Sequence, residues 1–82
     1  MKIVAYTLHG CSSCNHLKEL FLRAQVEYTE IIVRENLTVE EFQQLYPTIS
    51  YFPFVVIDDE PVGSLFDTAK LFVSKGLVSS KK

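Results

Sequence analysis

The sequence is poor in several features that would place it in a special class of protein. Only 2 of its 82 residues are cysteines, too few for the crosslinked framework of a small secreted domain. No apolar run approaches the ~18 residues of a transmembrane helix. Glycine and proline number 3 each, while hydrophobic residues make up 48%, which excludes a disordered or low-complexity chain. The sequence therefore predicts one packed domain over residues 1–82.

Charge of one sign is also scarce. The formal net charge is -2, and the longest basic run is Lys81 and Lys82, which we expect to form a solvated tail rather than a nucleic-acid patch. The first six residues are typical of a strand and not of a signal peptide. We therefore expect a cytoplasmic monomer that binds neither nucleic acid nor membrane.

Alternating β-rich and helix-periodic segments predict an α/β fold of order βαβαββα. Strands separated by helices favour a parallel start, and the closing hairpin adds antiparallel strands. The result is a four-stranded mixed sheet flanked by helices on both faces, with Pro61 marking an edge strand. The predicted elements are strand Lys2–Leu8, helix Ser12–Gln25, strand Glu27–Val33, a helix from the Thr38 cap to Tyr46, strands Phe54–Ile57 and Glu60–Gly63, and a helix from the Ser64 cap to Gly76.

Helical spacing also predicts which side chains face the core. Each helix carries apolar residues at intervals of three and four. We expect the following to be buried: Leu17, Leu20, Phe21 and Ala24; Val39, Phe42, Leu45 and Tyr46; and Leu65, Ala69, Phe72 and Val73.

Both cysteines lie in one motif, Cys11-Ser12-Ser13-Cys14, where the first strand gives way to the first helix. A sulfur at the start of a helix faces unpaired backbone N–H groups and the positive end of the helix dipole, which favour the thiolate. Cys14 lies one turn further and is expected to be less exposed. The spacing thus predicts a nucleophile at Cys11 and a resolving thiol at Cys14. The hydroxyls of Ser12 and Ser13 could donate to the thiolate.

Other interpretations of the motif are open. A CxxC motif can be half of a zinc site, but the remaining candidates, His9 and His16, flank the same motif and would give a strained tetrahedron. The cysteines could also be inert core residues. His9 and His16 are typical of surface positions, although His9 could tune the thiolate or shuttle a proton.

A second signal is Phe52-Pro53 at the start of the third strand. The proline could simply mark where a strand begins. Alternatively, a cis bond would turn the backbone N–H and C=O of Phe52 toward Cys11, where a peptide or thiol ligand could pair with them as an added strand.

Taken together, these segments resemble the glutaredoxin family within the thioredoxin fold. The resemblance covers nearly the whole chain. It implies a cis Phe52–Pro53 bond and glutathione contacts from Ser13, Phe52, Pro53, Leu65 and Phe66. The segments that carry it are Ile3–Thr7, the Cys11–Cys14 motif, Tyr51-Phe52-Pro53 before Phe54–Asp58, Val62-Gly63-Ser64, and Gly76-Leu77.

The chain also departs from the family pattern. Ser12-Ser13 stands where Pro-Tyr is common, and Leu8 stands where the family commonly has Lys. At Phe66 a polar side chain is usual, and the neighbouring Asp67 is a candidate to substitute for it. Loss of the lysine charge would cost ~1.5–3 kcal/mol, or one to two decades of affinity. These departures weaken the prediction of glutathione specificity.

Three hypotheses follow from the resemblance. The first is a dithiol oxidoreductase that reduces protein disulfides or glutathione mixed disulfides, with no bound cofactor and with glutathione as reductant. The second is a similar redoxin that thioredoxin reductase reduces and that donates electrons to ribonucleotide reductase, favoured by Leu8 and the apolar Leu65-Phe66 pair. The third is an iron–sulfur cluster-binding module that uses Cys11 and glutathione across a dimer.

Overall fold

Four strands and three helices make up the fold over residues 2–78, the part of the chain that the computed structural model describes. The expected tail at Lys81 and Lys82 lies outside these residues. Among the described helices, none is long and apolar enough to cross a membrane. The elements are β1 (Ile3–Thr7), α1 (Ser12–Ala24), β2 (Thr29–Ile32), α2 (Val39–Leu45), β3 (Phe54–Ile57), β4 (Glu60–Gly63) and α3 (Leu65–Ser74).

The four strands form one mixed sheet in the order β2-β1-β3-β4. β1 runs parallel to β2 and antiparallel to β3, and β4 closes an antiparallel hairpin with β3. The predicted edge position of the strand containing Pro61 is confirmed, and β1 lies between β2 and β3. An edge strand tolerates proline because one side of its backbone makes no ladder.

Alternation along the strands divides the core into two clusters, one on each face of the sheet. Ile3 and Ala5 of β1 point to the face covered by α1 and α3, while Tyr6 points to the face covered by α2. The sheet is thus the middle of three layers. The first cluster contains Ile3, Ala5, Leu17, Phe21, Ala24, Val55, Ile57 and Phe72. The second contains Tyr6, Val33, Phe42, Phe54 and Val56.

A local capping signal placed the start of the second helix correctly. Thr38 is the N-cap of α2, and its hydroxyl accepts a hydrogen bond from the Glu41 N–H at 3.0 Å. The Glu41 carboxylate accepts one in return from the Thr38 N–H, also at 3.0 Å. This reciprocal pair satisfies two N–H groups that the helix leaves unpaired.

Other predicted boundaries were wrong by a few residues. Gln25 is not helical but the left-handed C-cap of α1, with φ 56°. The second strand begins at Thr29 rather than Glu27, because its ladder with β1 starts at the Val4–Thr29 pair. Tyr28 instead packs its ring on Phe21, with centroids 4.5 Å apart.

Two residues predicted for the core are exposed. Leu45 is 58% exposed and Val73 is 37% exposed. Both have the correct helical spacing, but each lies near the C-terminal end of a short helix, where the neighbouring layer does not cover it.

Candidate active site

The chain topology gathers the predicted site segments at one edge of the sheet. The parallel strands β1 and β2 end there together, as the pairing of Thr7 with Ile32 shows. β3 begins at the same edge, since Phe54 pairs with Tyr6, and β4 ends there, since Gly63 pairs with Val55. Consequently the Cys11–Cys14 motif, Phe52-Pro53 and the start of α3 all follow or precede strands at this edge.

Cys11 is the N-cap residue of α1, as the sequence predicted. Its backbone is extended, with φ -97° and ψ 112°, and its Sγ accepts a hydrogen bond from the Cys14 N–H at 3.1 Å. The first turn of α1 contains no acidic residue that would compete for the positive end of the helix. A sulfur held here has a hydrogen-bond donor and the positive end of the helix dipole beside it.

The two thiols differ in accessibility. Both are free, but Cys11 is partly exposed whereas Cys14 is 1% exposed. Burial, followed by the hydrogen bond with Cys11, raises the pKa of Cys14 to about 11. Cys11 is therefore the more accessible of the two sulfurs, and Cys14 lies buried behind it.

The Phe52–Pro53 peptide bond is cis. Pro53 is buried, and the Phe52 ring packs on Phe42 of α2 with centroids 5.0 Å apart. The half-buried Phe52 side chain therefore packs against the second core cluster.

The start of α3 is tied together by Asp67. Its carboxylate accepts hydrogen bonds from the Ser64 N–H at 3.0 Å and the Ser64 hydroxyl at 3.1 Å. These bonds, the backbone one foremost, lower the pKa of Asp67. The Asp67 oxygen that Ser64 engages therefore caps the start of α3.

Leu65 and Phe66 follow directly and face a groove between α1 and α3. The groove has a volume of about 290 Å³. Phe66 is 76% exposed, whereas Leu65 is half-buried against the first core cluster. Leu65 and Phe66 thus form a small apolar surface at the start of α3. Leu65 packs on the core, and the Phe66 ring is exposed. The lining residues are His16, Glu19, Leu20, Arg23, Leu65, Phe66 and Ala69.

Leu8 and His9, just before the motif, border a second and smaller cavity. It measures about 140 Å³, and Val33 and Arg34 form its other side. The His9 ring contacts the carboxylate of Glu35, so this histidine is tied to the loop after β2. His16 lies instead in the groove beside α3. The two histidines therefore do not converge on the cysteines as a metal site would require.

The chain matches a known protein family. The family model described as Glutaredoxin matches residues 3–62, which is more than half of the chain. The chain belongs to the glutaredoxin family. Membership confirms the resemblance that the sequence indicated, and it supports thiol–disulfide oxidoreductase chemistry in general. No curated protein sequence matches the chain.

Solved glutaredoxin structures share the fold over nearly the full length. Glutaredoxin 1 from Francisella tularensis, complexed with cacodylate, is 26% identical with a TM-score of 0.72, covering 93% of this chain and 95% of that one. Reduced Escherichia coli glutaredoxin is 26% identical with a TM-score of 0.70, covering 94% and 98%. Brucella melitensis glutaredoxin is 26% identical with a TM-score of 0.72, covering 100% and 92%.

Sequence reasoning missed one feature of this glutaredoxin's site, an ion pair close to the motif. Lys18 of α1 lies 2.9 Å from the Glu30 carboxylate of β2. That carboxylate also accepts a hydrogen bond from the buried Thr7 hydroxyl at 2.8 Å. The spacing of Lys18 from Cys14, four residues on one helix, was visible in the sequence. The partner on β2 was not, because it depends on the strand register.

No group of three or more His, Cys, Asp or Glu side chains within residues 2–78 could hold a metal ion. The zinc interpretation of the motif requires such a group. What the described residues do place at the start of α1 is a pair of free thiols of unlike exposure.

Proposed function

We propose that this glutaredoxin reduces protein disulfides and glutathione mixed disulfides through Cys11 and Cys14, with glutathione restoring the dithiol. The observation that carries the proposal is the pairing of a partly exposed N-cap sulfur with a buried one, joined by the hydrogen bond from the Cys14 N–H to Cys11 Sγ at 3.1 Å. A dithiol of this kind works in a reducing compartment, so the proposal includes a cytoplasmic location.

The chemistry proceeds in two exchanges. The Cys11 thiolate attacks one sulfur of the substrate disulfide, forms a mixed disulfide and releases the other sulfur as a thiolate, which takes up a proton. Cys14 then loses its proton and attacks Cys11 Sγ, which expels the second substrate thiolate and leaves an intramolecular disulfide. Two molecules of glutathione reduce this disulfide and become oxidised glutathione.

Part of the substrate site is proposed on the same geometry. Phe52 and Pro53 precede β3 at the edge of the sheet where the motif follows β1, Ser13 lies within the motif on α1, and Leu65 and Phe66 open α3. We expect the backbone of Phe52 and Leu65 to pair with the peptide groups of glutathione or of a substrate protein.

The test is turnover of hydroxyethyl disulfide with glutathione, glutathione reductase and NADPH. We expect turnover by the parent and its loss in Cys11→Ser. Cys14→Ser should retain turnover here, because a second glutathione can replace the resolving thiol, but should fail on a protein disulfide without glutathione. An inactive parent, or a Cys11→Ser variant equal to the parent, would overturn the proposal.

A second candidate keeps the dithiol chemistry and changes the electron donor. Leu8 lacks the charge that would hold a glutathione carboxylate, and Phe66, 76% exposed, offers an apolar contact to a protein. These two residues favour reduction by thioredoxin reductase and delivery of electrons to ribonucleotide reductase. Comparing initial rates of reduction by thioredoxin reductase and by glutathione decides between the donors. Faster reduction by glutathione would remove this candidate.

A further inference from the structure

In the second exchange of the proposed function, Cys14 must ionise before it attacks Cys11, although its surroundings disfavour the thiolate. Cys14 is buried, and burial is the largest cause that raises its pKa. At neutral pH only a small fraction of a thiol with pKa near 11 is ionised, and only the ionised form attacks a disulfide. The rate of resolution therefore depends on the charges that surround this sulfur.

Lys18 lies on the face of α1 that carries Cys14, one turn further along. Lys18 is half-buried, and its Nζ lies 2.9 Å from Glu30 Oε2. The same Glu30 oxygen is held by the Thr7 hydroxyl at 2.8 Å. Thr7 is the last residue of β1 and is fully enclosed. The ion pair and the hydrogen bond thus hold the Lys18 ammonium against the sheet through Glu30 and Thr7. Thr7 lies at the end of β1 that leads into the motif.

We propose that Lys18, held in place by Glu30 and Thr7, provides the positive charge that promotes deprotonation of Cys14 when the mixed disulfide on Cys11 is resolved. In this step the Cys14 proton passes to solvent and a bond forms between the two protein sulfurs. The bond from Cys11 to the substrate sulfur breaks, and the substrate leaves as a thiolate. The role rests on the dithiol mechanism proposed above. Glu30 is a positioning residue, since it acts through Lys18.

The charges around the network act in both directions. Burial raises the pKa of Cys14 most; a backbone hydrogen bond from Leu8 and, after it, the positive charge of Lys18 oppose that rise. The hydrogen bond to Glu30 raises the pKa of Lys18, which keeps the amine protonated at neutral pH. Tyr28 adds to this effect.

The carboxylate of Glu30 is itself ionised in this environment. Burial opposes its ionisation, but the hydrogen bonds from Lys18 and Thr7 outweigh burial and lower its pKa, with a smaller contribution from His9. Because Glu30 neutralises part of the ammonium charge, we expect a modest effect on Cys14.

The experiment separates the two exchanges in time. Reduced protein in excess is mixed rapidly with 5,5′-dithiobis(2-nitrobenzoate), whose two coloured thiolates are released one after the other. The first release reports attack by Cys11, and the second reports resolution by Cys14. A second phase that does not depend on protein concentration is intramolecular. The pH is varied from 6 to 9 in Lys18→Met, Lys18→Arg and the parent.

We expect Lys18→Met to slow the second phase about three- to fivefold at pH 7. At the lower end of the usual effect, a neighbouring opposite charge changes an acid dissociation constant by about tenfold. The greater nucleophilicity of a more basic thiolate offsets roughly half of that change on a logarithmic scale. The first phase should change little. Lys18→Arg should restore the second phase, and Lys18→Met/Glu30→Gln should lie between Lys18→Met and the parent.

A matched control removes a cation from the same helix without touching the network. Arg23→Met serves, because Arg23 is exposed and pairs with Glu19. We expect its second phase to equal that of the parent. Thermal unfolding of each variant shows whether it is folded, and the double variant avoids leaving a carboxylate unpaired.

Three results would overturn the inference. They are superimposable second-phase pH profiles of Lys18→Met and the parent, an equal slowing by Lys18→Arg, or an equal slowing by Arg23→Met. A parent that shows no intramolecular second phase would instead contradict the dithiol mechanism. Failure of the inference and failure of the proposed function are therefore distinguishable.

Discussion

Gly63 lies directly against the Asp67 side chain. A Cβ at this position would come within 2.4 Å of Asp67 Oδ2, and the backbone of Gly63 has φ +126°. Both the space and the backbone conformation require glycine here. The close approach lets the Asp67 carboxylate reach back to Ser64, so the glycine shapes the turn that starts α3 beside the redox motif.

Gly63→Ala should therefore lower the free energy of unfolding by about 2–3 kcal/mol, because backbone strain and a displaced Asp67 add together. Gly76→Ala is the matched control. Gly76 also has a positive φ, +74°, but nothing lies within 4 Å of its Cβ position. We expect a cost of only about 1 kcal/mol there. Urea denaturation followed by circular dichroism measures both, and equal losses would contradict the contact argument.

Asp67 makes the acid stability of the protein depend on the cap. The Ser64 hydrogen bonds, with the backbone bond as the largest cause, hold the pKa of Asp67 below its ordinary 3.8. A carboxyl with a lowered pKa in the folded state stabilises the fold above its unfolded pKa, and this contribution disappears as pH falls through the folded pKa.

We therefore expect Asp67→Asn to be less stable than the parent at pH 7, and the difference to shrink as pH falls below about 4. Urea midpoints measured from pH 7 to pH 2.5 give the comparison. A difference that stays constant across this range would show that the charge of Asp67 does not contribute.

Much of the fold follows from local signals in the sequence. The hairpin of β3 and β4 has the predicted bounds, because Asp58 and Asp59 adopt positive φ values, which a tight turn between two strands requires. Cys11 as N-cap was also predictable, since the change from strand to helical periodicity locates the helix start. The assignments that succeeded need no knowledge of distant residues.

The predictions that failed depend on tertiary structure. Leu45 and Val73 satisfy the helical period, yet burial requires a neighbouring layer that ends before them. The ion pair between Lys18 and Glu30 arises because the register of β1 with β2 places Ala5 opposite Glu30. Periodicity does not report register across a crossover, so no pattern in the sequence pointed to this pair.

Leu8 provides a test of how charge near the motif affects glutathione. It is half-buried, and it borders the cavity that Arg34 also lines. Leu8→Lys should lower the KM for glutathione about tenfold, the lower end of what a hydrogen bond to a charged group contributes, because the site is open to solvent. The gain should shrink as ionic strength rises.

Leu8→Gln is the matched control for that gain, because it supplies a polar side chain without charge. If Leu8→Gln lowers the KM as much as Leu8→Lys, then the charge is not responsible. Steady-state rates in the hydroxyethyl disulfide assay, with glutathione varied at fixed disulfide, provide the values.

Phe66 separates stability from partner recognition. Since its side chain is 76% exposed, Phe66→Ser should change the free energy of unfolding by no more than about 0.5 kcal/mol.

If a partner protein binds the apolar surface formed by Leu65 and Phe66, the same change should raise the KM of thioredoxin reductase for the oxidised protein severalfold. It should leave reduction by glutathione within about twofold, since burying an exposed aromatic ring contributes about 1.5–3 kcal/mol only where a partner covers it. Leu22→Ser is the control, because Leu22 is also apolar and exposed but lies on α1. It should alter neither the rate with thioredoxin reductase nor the rate with glutathione. Equal losses with both reductants would show that Phe66 supports the motif itself rather than a protein contact.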